Sequence, residues 1–540
     1  MDRMFLYDTT LRDGAQGANI SFSANDKIKI VERLDKLGIH YVEAGFAGSN
    51  KLDDQVFRQL SMRDFDNVTV SAFGMTRRPF VEVEEDASLN ALIKAGTPAV
   101  TVVGKSWDRH VMNVLKTTLE ENLAMIEDSI DFLKKKGREV LFDAEHFFDG
   151  FKHNRVHAMA TLEAAISAGA DWVILCDTNG GTLPHEIGPI LKLVIEQASV
   201  PVGVHFHNDS GVATANSLLS IAYGARQVQG TMNGLGERCG NANLTTIIPN
   251  LKLKMDFDEI ISNNQLKHLR EVSNFIMEVA NLSENKAHPF TGSNAFVHKG
   301  GMHSDAILKD PRSYEHVNPA LVGNERKISI SDLAGKAAIK KKASELGLDV
   351  DKSDNRTKTI LDIIKVLQSE GFSYESADAS LELLMKGAVN DPADPTRIKS
   401  KFFTLERFRV ITETDPHLSN PRSEATIKVV VNDKEYLTAA EGNGPVNALD
   451  NAVRKSLEYF YPELKEVVLN DYKVRITDQA GTGSKVRVLI ESKDREQLWT
   501  TVGASENIIW ASWLALEDSI VFKLLKELEK KGFSLNSNGS

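Results

Sequence analysis

Side chains two apart on a strand point the same way, and His205-Phe206-His207 closes the apolar run Val202-Gly203-Val204, so both imidazoles can hold one metal ion. Taken alone, an isolated HxH is more often two ordinary polar histidines. Asp8-Thr9-Thr10-Leu11-Arg12-Asp13-Gly14 sets a cation and two carboxylates just past another apolar run; by itself it reads as a capped turn with a surface ion pair. Beside a metal ion the same residues do chemistry, one carboxylate binding the ion while Arg12 polarises a substrate carbonyl. A third segment, Gly234-Leu235-Gly236-Glu237-Arg238-Cys239-Gly240-Asn241, has GxGxxxG spacing rather than the GxGxxG of a dinucleotide loop. It reads as a tight turn that presents Asn241. Imidazole, carboxylate and amide ligands together suit Mg, Mn, Co or Zn without choosing among them.

These groups need elements that bring them to one place. Short β-branched runs recur at Met4 to Tyr7, Tyr41 to Ala44, Val68 to Ala72, Ala99 to Val103, Glu139 to Phe142, Trp172 to Leu175, Val202 to Phe206 and Gln227 to Gly230. Helix-period stretches such as Lys27 to Leu34 lie between them. Eight βα units in about 240 residues predict a closed (β/α)8 TIM barrel rather than an open doubly wound sheet, because each run ends in polar residues. Asp8 to Asp13, Glu43, Glu145, Asp177 with Thr178, the histidine pair and Asn233 to Asn241 would then share one rim. Phe147 and Phe148 near that rim either narrow the pocket or pack on a neighbouring helix.

From about Leu251 the βα rhythm stops. Helices follow, with a glycine-flanked stretch from Thr291 to Asp305 carrying His298 and His303 that reads as a mobile loop, and a polar connection at Asp349 to Arg356. Near Phe402 a second rhythm begins. Phe408 to Thr412 and Ala425 to Val431 precede a helix at Gly444-Pro445; Tyr472 to Thr477 and Val486 to Ile490 precede another near Ser505 to Leu516. A ββα unit used twice predicts a duplicated α+β domain with a binding role. Its glycine-rich turns, Glu441 to Ala448 and Ala480 to Ser484, leave backbone amides for a small carboxylate, unless they are simply tight turns. The expected divisions are a barrel over 1–275, helical subdomains over 276–400, a regulatory domain over 401–532 and a tail over 533–540.

Composition excludes several classes. The chain has 540 residues, 42% hydrophobic and 26% charged, with a formal charge of -11 and dispersed basic residues. That balance argues for a globular protein and against nucleic acid as a partner. No apolar stretch suits a signal peptide or a membrane span. Two cysteines, Cys176 and Cys239, give no disulfide framework, so a reducing, cytoplasmic setting is expected.

The three motifs, with Asn208-Asp209 after the histidine pair, the Ala295 to His303 loop and the duplicated C-terminal domain, closely resemble the family of 2-isopropylmalate, homocitrate and citramalate synthases. The resemblance covers nearly the whole chain. It implies metal ligands Asp13, His205, His207 and Asn241, Arg12 at the keto oxygen, Thr178 at the keto-acid carboxylate, and Glu145 with His303 in proton transfer. It also implies acetyl-CoA and a small 2-oxo acid as substrates, a homodimer, and an amino-acid effector at the C-terminal domain. His303 lies outside the barrel sequence, so the resemblance implies that it reaches the rim from outside, plausibly across the dimer.

Ala15 after LRDG, Asp177-Thr178-Asn179-Gly180-Gly181, and Ala144-Glu145-His146-Phe147-Phe148-Asp149-Gly150 depart from the usual isopropylmalate pattern. They bring the chain nearest to the family's citramalate-forming branch, which implies pyruvate as keto acid and isoleucine as effector. Three rivals stand beside that reading: 2-isopropylmalate or homocitrate synthesis, the reverse cleavage of the related 3-hydroxy-3-methylglutaryl-CoA lyases, and a non-catalytic amino-acid sensor.

Overall fold

The computed structural model describes residues 3–532 apart from 300, 331–334, 349, 351–354, 414–421 and 479–480. Two compact units divide the chain, one of Met1–Phe296 with His316–Arg326, the other of Val297–Glu315 with Lys327–Ser540. The first is a closed barrel of eight parallel strands in sequence order. They are β1 (Phe5–Asp8), β2 (Tyr41–Phe46), β3 (Thr69–Met75), β4 (Ala99–Lys105), β5 (Glu139–Glu145), β6 (Trp172–Asp177), β7 (Val202–Phe206) and β8 (Gln227–Gly230). β1 closes the barrel against β8 in the register Phe5↔Gln227 to Asp8↔Gly230.

All eight apolar runs are strands. Five of them, β2 to β6, continue two or three residues past the apolar run, into Gly45–Phe46, Phe73–Met75, Gly104–Lys105, Asp143–Glu145 and Cys176–Asp177. On β5, Asp143 stands inside the barrel beside Gln229 while Phe142 and Ala144 still pack outward, so the ladder persists although the apolar run has ended. Helix boundaries follow local chemistry. The helix Ala24–Leu37 opens on a reciprocal cap between Ser23 and Asp26, buries Ile28, Val31, Leu34 and Leu37, and stops at Gly38 with φ 90°. Each fully buried aliphatic side chain of this kind contributes roughly 1.5–3 kcal/mol.

In the second unit, helices Lys336–Glu345, Asn355–Ser369 and Asp378–Asn390 accompany two sheet-and-helix modules. The expected duplication is present with a correction: each sheet has three antiparallel strands rather than two. β11 (Thr404–Glu413), β12 (Arg422–Val431) and β13 (Lys434–Gly442) precede the helix Pro445–Leu457; β14 (Val468–Ile476), β15 (Val486–Lys493) and β16 (Leu498–Ser505) precede Ile508–Lys530. β13 carries three charged residues and β16 ends in Gly503-Ala504-Ser505, so neither has the apolar alternation by which strands are recognised. β9 (Val297–His298) and β10 (Lys327–Ile328) form a small parallel pair.

The stretch expected as a mobile loop is partly regular, since Gly301–Lys309 is helical; Gly300 lies outside the described residues. So do most of the Asp349 to Arg356 connection, Ala480 of the second glycine-rich turn, and the tail at 533–540. Among the described residues no helix is long and apolar enough to cross a membrane.

Candidate active site

At the carboxyl ends of β1 and β7, one oxygen of Asp13 and one nitrogen each of His205 and His207 lie within 4.8 Å of one another. Asp13 Oδ2 stands 3.3 Å from His205 Nε2 and 3.6 Å from His207 Nε2, and the two Nε2 atoms are 3.3 Å apart. All three residues are buried. Asn241 joins them through a backbone bridge to His207. The loop after β8 makes this approach by using glycine where nothing else fits. A Cβ on Gly240, at φ +81°, would sit 1.9 Å from the Gly234 carbonyl, and one on Gly236, at φ +149°, 2.3 Å from Asn241 Nδ2.

That Nδ2 donates to the Leu235 carbonyl at 3.1 Å, while Asn241 Oδ1 is buried and finds no hydrogen-bond donor among the described residues. A carboxylate, two imidazoles and an unsatisfied amide oxygen are a donor set for a cation. Leaving a buried acceptor unpaired costs about 1–3 kcal/mol, which an ion would offset. The residues therefore fit a divalent metal.

Electrostatics agree for Asp13 and His207. Burial pushes Asp13 up, but Arg12 and His205 more than offset it and hold its carboxyl well below the usual range. Burial pushes His205 down, yet the bond and charge of Asp13 raise it; burial and the neighbouring His205 push His207 down to about 4. A neutral His207 is the form that ligates.

Arg12 donates from Nε to Glu43 Oε1 at 2.5 Å, lies 3.5 Å from Asp13 and sits 4.0 Å over the ring of Phe73. Glu43, fully buried, also accepts from Tyr7 at 2.8 Å and Thr9 at 2.6 Å. Asp8 is structural: its oxygens accept from the Thr10 amide at 3.0 Å and the Thr10 hydroxyl at 2.7 Å. At the ends of β5 and β6, Glu145 pairs with Lys105, and the Thr178 hydroxyl accepts from the His146 amide at 2.9 Å. Arg238 ties the β8 loop to this edge, donating to both oxygens of Asp209 and, at 2.7 Å, to the Thr178 carbonyl. His303 belongs to the other compact unit, where it is exposed on Gly301–Lys309 and stacks on Tyr314 at 4.1 Å.

Comparison with known proteins adds the family. Residues 3–276 match the HMGL-like family, 290–371 the homocitrate synthase post-HMGL domain-like family, and 375–524 the LeuA allosteric (dimerisation) domain. The chain is 52% identical to an (R)-citramalate synthase of Aquifex aeolicus, covering 98% of this chain and 99% of that one. It is 50% identical to the (R)-citramalate synthase of Geobacter sulfurreducens, covering 98% and 99%. The chain belongs to the (R)-citramalate synthase branch of the HMGL-like family. A 2-isopropylmalate synthase of Methanocaldococcus jannaschii is more distant, at 31% identity over 98% of this chain and 96% of that one.

Within this citramalate synthase fold some groups at the site escape a sequence reading. Glu43 was visible at the rim, but not as the anchor of Arg12. Asp143 and Gln229 lie behind His205, where Gln229 Oε1 meets His205 Nδ1 at 3.0 Å and Gln229 Nε2 donates to Asp143 Oδ1 at 3.1 Å. His146, at φ +55° directly after Glu145, has Nδ1 3.2 Å from Asp149. Of the two readings of Phe147 and Phe148, packing away from the pocket is the one observed. Both are fully buried in the barrel's hydrophobic layer, Phe148 against Phe206 at 5.3 Å. Phe206 alternates with the inward His205 and His207, so this contact lies on the strand's outer face.

Proposed function

We propose that the protein condenses acetyl-CoA with pyruvate and water to give citramalate and CoA. The single observation that carries this reading is the convergence of Asp13, His205, His207 and the unpaired Asn241 Oδ1 beside Arg12. Asp13, the two imidazoles and Asn241 hold a divalent ion, Mg, Mn, Co or Zn. Lewis acidity at the keto group of the 2-oxo acid is what that ion supplies when bound. Arg12, always charged and pinned by Glu43, stabilises the alkoxide that develops at the keto oxygen as the new carbon-carbon bond forms. Thr178, with its hydroxyl oxygen engaged by the His146 amide, keeps its own hydrogen for the keto-acid carboxylate. Glu145 and His303 move the protons: one leaves the acetyl methyl group, one is returned to the alkoxide, and water adds to the thioester as the carbon-sulfur bond breaks.

In this reading the barrel over 1–275 is catalytic, 276–400 carries His303, and 401–532 binds isoleucine as end-product effector within a homodimer. The match to an allosteric dimerisation domain supports the regulatory and dimerising role of that segment. A CoA-release assay with pyruvate, 2-oxoisovalerate and 2-oxoglutarate tests the reaction. Pyruvate gives the highest kcat/KM; a larger acid in first place overturns the assignment. Since one methylene changes binding by only ~1–3 kcal/mol, the ratio matters more than detectable turnover.

A further inference from the structure

Asp143 and Gln229 form a buried chain behind one imidazole of the metal site. Gln229 lies on β8 in direct register with His205 on β7, so the two side chains stand side by side inside the barrel. Gln229 is fully buried and Asp143 3% exposed. The amide spans the gap, its Oε1 3.0 Å from His205 Nδ1 and its Nε2 donating to Asp143 Oδ1 at 3.1 Å.

We infer that Asp143, by fixing the orientation of the Gln229 amide, selects the His205 tautomer that carries hydrogen on Nδ1 and offers Nε2 to the metal. This is a positioning role for both residues, and it rests on the metal-site reading above. An amide oxygen only accepts, so the nitrogen facing it must donate. Nε2, facing Asp13 and His207, is then the ligating atom. Turned by half a rotation, the amide would offer its N–H2 to Nδ1, draw the lone pair there and leave hydrogen on Nε2, the form that cannot ligate. That rotation would also bring the amide oxygen against Asp143, which disfavours it whenever that carboxyl is ionised. Burial, followed by the charge of Glu43, pushes Asp143 up to about 7, so this acid is held in the barrel at a cost in stability. Ordering a ligand from behind is a function that repays it.

The test uses the full-length protein stripped of metal. Divalent-ion affinity, measured by competition with a chelator, is compared for wild type, Asp143→Leu, Gln229→Leu and the double variant Asp143→Leu/Gln229→Glu. Each single variant weakens binding ~10–100-fold. The double variant returns to within a few-fold of wild type, because a carboxylate at 229 accepts from Nδ1 whichever way it is turned. A purely structural role predicts the reverse, with the double variant impaired at least as much as either single one. Nitrogen NMR of the metal-free, ¹⁵N-histidine-labelled protein, recorded at a pH high enough to leave His205 neutral, reads the tautomer directly: Nδ1–H in wild type, a mixture in Asp143→Leu. If wild type takes up no ion, the metal reading fails while the spectrum still decides the tautomer. If wild type binds the ion and both single variants bind it equally well, or if the spectrum of Asp143→Leu is unchanged, the positioning role is overturned.

Discussion

Buried charge is handled differently in the two compact units. In the C-terminal one, Lys523 on Ile508–Lys530 has a side chain only 4% exposed, and its ammonium sits 2.8 Å from Asp494 and 2.8 Å from Glu527. Opposite charges answer one another there, with no ligand-type cluster among the described residues. At the barrel rim the sum does not close inside the protein. Asp13, His205 and His207 crowd together with Asn241 Oδ1 and His207 Nδ1 buried and unpaired. A folded chain tolerates such groups where something other than the chain completes them. Buried unpaired atoms occur elsewhere too, at Gln227 on β8 and Gln368 in the C-terminal unit, so what marks the site is open acceptors beside a cluster of carboxylate and imidazoles.

The sharpest break of that contrast is removal of one ligand. His207→Asn lowers kcat/KM for CoA release ~1,000-fold, several kcal/mol of lost electrophilic assistance, while leaving the unfolding midpoint of the metal-free protein within ~1 kcal/mol of wild type. Denaturant titration beside the CoA assay checks both halves. Activity retained, or stability lost in step with it, would make the rim cluster scaffold like the other.

Lys523→Met is the mirror experiment and the next in size. It strands Asp494 and leaves Glu527 only its half-exposed partner Lys530, so stability falls by about 3 kcal/mol. Basal kcat/KM measured well below the transition stays within twofold. Were catalysis to fall while unfolding stayed put, the buried lysine would belong to function.

How much of this could be read from the residues follows from the periodicities. Eight β-branched runs announced eight barrel strands, and the HxH pair, LRDG and the glycine loop announced residues that do meet. The inward partners Asp143 and Gln229 were silent because each sits within or beside an apolar run, Leu141-Phe142-Asp143-Ala144 and Gln227-Val228-Gln229-Gly230. In a barrel, alternate residues face a filled interior, and one-letter patterns do not say which alternate it is until registers are known. Glu43 was hidden for a related reason: a lone acid at a strand end does not reveal that Arg12, 31 positions earlier, will stack on Phe73 and donate to it. The third strand of each C-terminal sheet was missed because β13 carries Lys434, Glu435 and Glu441 at its ends and β16 runs into Gly503-Ala504-Ser505.

The smallest effect tests the packed pair of phenylalanines. Phe148 packs on Phe206 behind β7, whereas the reacting groups lie on the opposite face of the same strand. Phe148→Leu removes part of a ring from a close-packed layer and should cost about 1–2 kcal/mol of stability, because the surrounding layer fills the space only in part. The ratio of kcat/KM for pyruvate to that for 2-oxoisovalerate should stay within twofold of wild type, since the change never reaches the pocket. A shift of tenfold, equal to about 1.4 kcal/mol of discrimination, would mean that strand β7 transmits packing strain from its outer face to the imidazoles two residues apart on its inner one. The division between closed scaffold and open site would then run through single residues rather than between regions.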